Sequence, residues 1–143
     1  MSAPARRGDR ILTVRSAPAV PPARRYVEHV MGLPSPAAAP WRIGIEDPHD
    51  PSRLVAVVPV HTGAVATSGA AHRGAHIVDA RTGRAPRGVA SVTVVGASLT
   101  AVDIDATAAF ALGADAARWL EGRGHDATVV VRPDGTVRVG RRA

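Results

Sequence analysis

The segment that most limits the fold is a long stretch with helical periodicity, which begins near Ser98 and ends near Gly122. Its apolar residues recur three and four positions apart, which is the spacing of a helix that buries one face. Ser98 and Thr100 offer hydroxyls for the N-cap, and Gly122 and Gly124 end the helix. We therefore predict one main helix whose buried face carries Val102, Ala106, Ala109, Phe110, Leu112, Ala116, Trp119 and Leu120.

The apolar stretches on both sides of this helix are short and have the composition and alternation of strands. Residues 41–60 predict a β-hairpin with an Asp-Pro turn, and residues 64–67 and 89–95 predict two single strands. Residues 127–139 predict a second hairpin with a Pro-Asp-Gly turn. This order predicts the α+β class, as a single small domain of antiparallel strands with one main helix.

The N-terminal region has a different composition from the rest of the chain. Residues 1–25 are rich in Pro, Ala and Arg, which predicts a disordered arm with a short extended piece at residues 10–14. Residues 26–31 predict a short strand. We therefore expect the arm to end at residue 25 and the folded domain to occupy residues 26–143.

The core must be built mainly from small side chains. Hydrophobic residues make up 45% of the chain, but most are Ala and Val, and only 3% of the residues are aromatic. Small side chains bury little apolar area each, so we expect low stability or self-association. The absence of Cys excludes disulfides and thiolate metal ligands.

The formal net charge is +6, and all 18 basic residues are Arg. The Arg residues are scattered and few aromatic residues are available to stack on bases, so no nucleic-acid partner is expected. No apolar run is long enough for a membrane-spanning helix. Residues 1–15 also lack the continuous apolar region of a secretory signal, and we expect a cytoplasmic location.

Asp103 and Thr107 are the first candidate site, because their four-residue spacing places both on one face of the predicted helix. A carboxylate and a hydroxyl are oxygen ligands of the kind that magnesium prefers. The alternative is a structural role at the helix start, where Thr100 and Asp103 would form a variant capping box and Asp103 would interact with the helix dipole. The spacing alone favours this alternative.

The loop at residues 70–88 is the second candidate site. His76 is suited to proton transfer near neutral pH, and Arg81 and Arg84 are suited to phosphate binding. The alternative role of Asp79, Thr82 and Gly83 is to form a plain turn. His72 and His76 have the spacing of a metal pair but lack a third clear ligand, and the remaining histidines are expected on the surface: His29, His49, His61 and His125.

Several segments, in order, resemble the FAD:protein FMN transferase (ApbE-like flavin transferase) family. WRIGIEDP at residues 41–48 resembles the family's W-x-I/V-G-I-x-x-P strand, and AVATSG at residues 64–69 is similar to its A-V/I-A-T-S-G segment. HIVDARTG at residues 76–83 resembles its H-I-I-D-P-x-T-G motif. SVTVV at residues 91–95, followed by Asp103 and Thr107, resembles its S-V-T-V strand and metal-binding helix. Residues 26–34 resemble its N-terminal strand and M-G motif.

The resemblance implies part of the flavin transferase fold and a magnesium-dependent reaction. In that reaction FMN is transferred from FAD to a Ser or Thr hydroxyl of an acceptor protein. His76 is the catalytic candidate that would handle the hydroxyl proton. The other roles carried over by matching motifs are metal binding by Asp103 and Thr107 and flavin binding by Met31, Gly32, His76 and Ile77.

The chain departs from the family between Leu33 and Trp41, where the family has a long middle section. That section contains a glycine-rich stretch with a Lys, a backbone metal ligand and an N-A-G-G-D motif, all of which this chain lacks. Two functions are therefore considered: a flavin transferase, and a non-catalytic remnant that acts as a binding or interaction module. The expected partner is a flavin-accepting protein, and self-association or a complementing chain remains open.

Overall fold

The computed structural model describes residues 11–13, 40–72 and 74–142 of the chain. Seven strands, two α-helices and one 3-10 turn lie in this part. In chain order they are β1 (Ile11–Thr13), β2 (Trp41–Asp47), β3 (Asp50–Val60), β4 (Ala64–Gly69), β5 (Ser91–Gly96), α1 (Leu99–Ala111), the 3-10 turn (Gly113–Asp115), α2 (Ala116–Leu120), β6 (Ala127–Val131) and β7 (Val137–Arg141).

The first sheet is built on the β2–β3 hairpin. The two strands are antiparallel, with Ile43 opposite Val58, and β1 adds to the other side of β2 in parallel. The register shifts between Ile45 and Glu46, so the end of the hairpin is irregular. Apolar residues alternate along the hairpin, and their side chains on one face form part of the core.

The second sheet has the order β4-β5-β6-β7 with antiparallel neighbours. Its strand β5 is buried at all six positions, because one face lies under α1 and the other under the first sheet. Val92 and Val94 face the helices, whereas Val95 faces the first sheet. Ser91 and Thr93 alternate with Val92 and Val94, as in a half-exposed strand, but both polar residues are buried because the first sheet covers their face.

The core therefore has two parts, one on each face of the second sheet. The part under the first sheet joins the hairpin to β5 and β6, and is formed by Ile43, Ile45, Val58, Val60, Val95, Ala127, Val129 and Val131. The part under the helices is formed by Ala64, Ala66, Val89, Val92, Val94, Val102, Ala106, Ala109, Phe110, Ala116, Leu120 and Val130. The fold is thus three layers: sheet, sheet and helix.

The prediction of one continuous helix to about Gly122 is wrong. α1 begins after the N-cap Ser98 and ends at Ala111, and the short α2 follows the 3-10 turn. Gly113 interrupts the helix with a positive φ of 64°, and a Cβ atom there would lie 2.3 Å from the carbonyl oxygen of Arg87. The chain therefore bends at Gly113, and the 3-10 turn lies against the end of the long loop at Arg87 and Gly88.

The other expectations about the fold are largely confirmed. The α+β class, both hairpins, and the single strands β4 and β5 are present, and the described residues of the long stretch between β4 and β5 form no helix or strand. An extended piece lies at residues 11–13, as expected within residues 10–14. The predicted strand at residues 26–31 and most of the arm lie outside the described residues, so the domain boundary at residue 25 stays a prediction.

Among the described residues, the helices are too short or too polar to cross a lipid bilayer.

A Gly113→Ala substitution is expected to lower the free energy of unfolding by about 2–4 kcal/mol, since it combines backbone strain with a steric clash against Arg87. Gly122→Ala is the matched control. Gly122 also has a positive φ, of 79°, but no atom lies within 4 Å of the added Cβ, so the expected cost is about 1 kcal/mol. Urea denaturation measures both values, and equal losses in the two variants would contradict the proposed close contact.

Candidate functional site

Asp103 and Thr107 lie on the outer face of α1. Both residues are exposed, whereas Val102 and Ala106, which neighbour them in sequence, are buried against the second sheet. Because the helix turns once in 3.6 residues, the carboxylate of Asp103 lies about one turn from the hydroxyl of Thr107. The two oxygen donors therefore share one face of α1, as their spacing predicts.

Thr107 is joined to the end of β4 through a pair of hydroxyls. The Oγ1 atom of Thr107 lies 3.1 Å from the Oγ atom of Ser68, and Ser68 is buried. Ser68 belongs to the A-T-S-G segment, in which Thr67 also bonds Thr93 across the sheet at 2.8 Å. The hydroxyl of Thr107 is thus held against a strand end instead of rotating freely in solvent.

Asp103 has no structural role at the helix start. Ser98 is the N-cap, and its Oγ accepts a 3.4 Å hydrogen bond from the backbone N–H of Ala101. Thr100 therefore lies inside the first turn, which contains no acidic residue, and the capping-box alternative is wrong. The side chain of Asp103 makes no hydrogen bond or ion pair with any of the residues that the structure describes, so its carboxylate is open to a ligand.

The Asp79–Arg84 segment forms a compact turn. The backbone N–H of Asp79 donates to the carbonyl of Arg84 at 2.8 Å, and the N–H groups of Thr82 and Gly83 donate to the carbonyl of Asp79. The Arg81 side chain donates two 2.9 Å hydrogen bonds to the carboxylate of Asp79, which lower the pKa of Asp79. The turn alternative is confirmed, and Arg81 is already engaged by a carboxylate.

His76 is exposed just before this turn. Its Nδ1 atom donates to the carbonyl of Gly74 at 3.0 Å, and the adjacent Ile77 packs against the core under the helices. Within the described part of the chain, no hydrogen bond joins His76 to Asp103 or Thr107. The family resemblance gives these three residues roles in one reaction, so their convergence on one site is a prediction, and the flavin contacts predicted for Met31 and Gly32 lie outside the described residues.

The two histidines of the loop do not form a metal pair. The Nε2 atom of His72 lies 2.6 Å from Oε1 of Glu46 on the first sheet, so His72 ties the loop to β2, whereas His76 is bonded within the loop. Across residues 11–13, 40–72 and 74–142, no group of three or more His, Asp and Glu side chains is placed to hold a metal ion.

One polar cluster is not predicted from the sequence. Asp105 lies on the inner side of α1 and accepts two hydrogen bonds from Arg123, at 2.9 and 3.0 Å. The Nε2 atom of His125 lies 2.7 Å from the same carboxylate, and the Arg123 guanidinium lies 4.0 Å from the centre of the Trp119 ring. The expectation that His125 is a surface residue is wrong, because its side chain is only 9% exposed.

This cluster fastens the loop at residues 121–126 to α1. The hydrogen bonds from Arg123, and secondarily those from His125, lower the pKa of Asp105 although its burial acts in the opposite direction. Neither the position of the Asp nor the spacing to His125 forms a recognisable motif. The one available signal was an acidic residue on the apolar face of a helix, which must be paired when it is buried.

The donors on the outer face of α1 suit a hard cation but do not complete its coordination. Magnesium binds a small number of carboxylate oxygens and takes its other ligands from water and from phosphates. Asp103 offers an uncommitted carboxylate and Thr107 an oriented hydroxyl, which fits this chemistry. Further ligands would have to come from outside this pair.

Comparison with known proteins agrees with the motifs. The model of the ApbE family matches residues 28–131. An ApbE protein of Thermotoga maritima is 30% identical, with a TM-score of 0.64, and the match covers 73% of this chain and 37% of that protein. The flavin transferase ApbE of Vibrio cholerae is also 30% identical, with a TM-score of 0.54, and the match covers 73% of this chain and 36% of that protein.

The chain thus spans little more than a third of the length of these two relatives, at 37% and 36%. Among curated protein sequences there is no significant match.

Asp105→Asn is expected to lower the free energy of unfolding by about 2 kcal/mol near neutral pH, because it weakens charge-assisted hydrogen bonds to Arg123 and His125. The folded pKa of Asp105 is depressed, so its contribution is fully present above about pH 4 and is lost as the pH falls through the lower folded pKa. The difference between wild type and variant should therefore shrink in acid.

Urea denaturation at about pH 5 and about pH 2.5 measures this change. Asp115→Asn is the matched control, since Asp115 forms an exposed pair with Arg118 at 3.1 Å and should contribute less than about 1 kcal/mol. A difference for Asp105→Asn that stays constant down to the lower pH would contradict the assignment.

Proposed function

Since this chain belongs to the ApbE family, we propose that it carries the metal-binding part of a FAD:protein FMN transferase. The reaction is a magnesium-dependent transfer of FMN from FAD to a Ser or Thr hydroxyl of an acceptor protein. The observation that carries this proposal is the outer face of α1, where Asp103 is unpaired among the described residues and Thr107 is held by Ser68. The flavin transferase named among the similar structures supports the same assignment.

In this proposal Asp103 and Thr107 hold the metal ion. The carboxylate of Asp103 supplies the negative charge, and the contact with Ser68 fixes the direction in which the Thr107 hydroxyl presents its oxygen. When bound, magnesium would neutralise the charge that develops on the phosphates as the pyrophosphate is split. Ser68 is thus proposed as a positioning residue, which acts through Thr107.

His76 is proposed to receive the proton of the acceptor hydroxyl. Because a carbonyl oxygen only accepts hydrogen bonds, the bond to Gly74 requires that Nδ1 of His76 carry a proton. In the neutral ring Nε2 then has a free lone pair, which suits a general base. The roles proposed for Ile77, Met31 and Gly32 are contacts to the flavin nucleotide.

The rate of transfer by this chain alone is proposed to be low. Transfer requires that the flavin, the pyrophosphate and the acceptor hydroxyl be positioned together, and a displacement of about 1 Å can cost a factor of about a hundred. The match covers only 36% of the named flavin transferase, and the family's middle section is missing. This coverage also favours the second candidate function, a binding or interaction module that uses the same helix face.

The proposed partners are a flavin-accepting protein and either a second copy or a complementing chain, and the proposed location is the cytoplasm. A complementing chain would supply metal and phosphate ligands beyond Asp103 and Thr107.

The metal site is tested without any requirement for activity. We expect Mn²⁺, which shares the oxygen ligands of Mg²⁺, to broaden the amide NMR signals around Thr107 and Ser68. Asp103→Ala should abolish this broadening, because it removes the charged oxygen. Asp126→Ala is the control, since Asp126 is also exposed and its side chain has no partner among the described residues. Broadening that persists in Asp103→Ala would exclude Asp103 as the ligand.

The transfer reaction is tested with FAD, Mg²⁺ and a protein substrate of the Vibrio cholerae flavin transferase. Mass analysis of the substrate detects the added FMN. We expect labelling by this chain to be slower than labelling by the Vibrio cholerae enzyme by a factor of about a hundred or more. Any labelling should require Mg²⁺ and be lost in Asp103→Ala but kept in Asp126→Ala.

The outcomes separate the two candidate functions. Slow labelling that depends on Asp103 supports the transferase. Absence of labelling, together with metal binding that depends on Asp103, supports the binding module. Labelling as fast as that by the Vibrio cholerae enzyme would contradict the expected low rate and would show that transfer does not require the family's middle section.

A further inference from the structure

An open groove lies away from the candidate metal ligands, and no residue of α1 lines it. It runs between α2, the loop at residues 121–126 and the strands β6 and β7, and its volume is about 540 Å³. Apolar side chains of Ala117, Leu120 and Val130 line one part of it, and basic residues of the C-terminal strand line the other. This volume lies in the range of small-molecule sites, about 300–1,000 Å³.

Three arginines line the groove without an acidic partner. Arg138, Arg141 and Arg142 are exposed, and their guanidinium groups make no ion pair or hydrogen bond with the described residues. Glu121 is the one acidic residue of the lining. The groove therefore has an excess of positive charge, and guanidinium groups are suited to bidentate contacts with phosphate oxygens.

The floor of the groove is polar and open at its centre. Strand pairing puts Gly140 opposite Thr128 and Arg138 opposite Val130, so these residues share the face that points toward α2. A Cβ atom at Gly140 would lie 2.6 Å from Oγ1 of Thr128. Because Gly140 has no side chain, the Thr128 hydroxyl is left uncovered beside the two strands.

His125 borders the same groove in a fixed orientation. Its ring is held by the carboxylate of Asp105 at 2.7 Å, and Asp105 is in turn held by Arg123. The cluster that fastens the loop to α1 therefore also shapes one end of the groove, and it leaves the three unpaired arginines at the other side.

We propose that this groove binds a phosphate group carried on a small organic body, of the nucleoside monophosphate class. Arg138, Arg142 and the Thr128 hydroxyl contact the phosphate, and the organic body lies against Leu120 and Val130. The groove is separate from the residues of the proposed transferase site, although AMP is also the leaving group when FMN is transferred from FAD. Asp103 and Thr107 are not among the residues that line the groove, so the two sites share no side chain.

The test measures binding of AMP to the full chain by NMR titration at low and at physiological salt. We expect AMP to bind more tightly than inorganic phosphate or adenosine, with an affinity that falls as the salt concentration rises. The double variant Arg138→Gln, Arg142→Gln should bind AMP at least about tenfold more weakly, because it removes two charged hydrogen-bond donors. Asp103→Ala should bind AMP as the wild type does.

The control is the double variant Arg53→Gln, Arg118→Gln. It removes the same amount of positive charge from residues outside the groove and should leave AMP binding unchanged. If the first double variant does not fold, Thr128→Val replaces it, because this change removes only the groove hydroxyl at nearly constant volume and should also weaken AMP binding.

Several results would overturn the proposal. The first is absence of AMP binding at millimolar concentration. The second is equal affinity for AMP and either adenosine or inorganic phosphate. The others are an equal loss of AMP affinity in the two double variants and a loss of AMP binding in Asp103→Ala.

Discussion

The arrangement of the whole chain depends on the burial of one strand, β5, on both of its faces. Val92 and Val94 lie under α1, and Val95 lies under the β2–β3 hairpin, so this strand holds the two parts of the core together. Small and β-branched side chains allow both layers to approach a single sheet closely. A polar substitution in β5 would therefore disturb the helix layer and the first sheet together.

Burial of β5 also decides where the chemistry lies. α1 packs on β4 and β5 through Ala106 and Ala109, which are fully buried, and their small size keeps the helix close to the sheet. That closeness brings Thr107 within hydrogen-bonding distance of Ser68 at the end of β4. The position of Thr107 is thus a consequence of the close packing of Ala106 and Ala109 on the sheet. A larger side chain in place of either alanine would separate the hydroxyls of Thr107 and Ser68.

Most of the fold could be predicted from periodicity, because its elements follow local sequence patterns. The elements predicted in this way are both hairpins, the strands β4 and β5, and the helix face that Asp103 shares with Thr107. The break of the helix at Gly113 could not be predicted, because it comes from a close approach to the carbonyl of Arg87, which is distant in sequence. The cluster around Asp105 could not be predicted for the same reason, since the role of a polar residue on an apolar helix face depends on partners that are distant in sequence. Proximity of His76 to α1 rests on the family resemblance alone.

The cluster around Asp105 links the two faces of α1 physically. Rotation of a helix about its axis moves every side chain on it, so the ties from Arg123 and His125 to Asp105 fix the direction in which Asp103 and Thr107 point. The same ties hold the loop that borders the groove lined by Arg138 and Arg142. A chain with a core of small residues has few large side chains to prevent such rotation by packing alone. The charge-assisted hydrogen bonds to the buried Asp105 supply that constraint because they are directional. This explains why an otherwise costly buried carboxylate is placed at the centre of this helix.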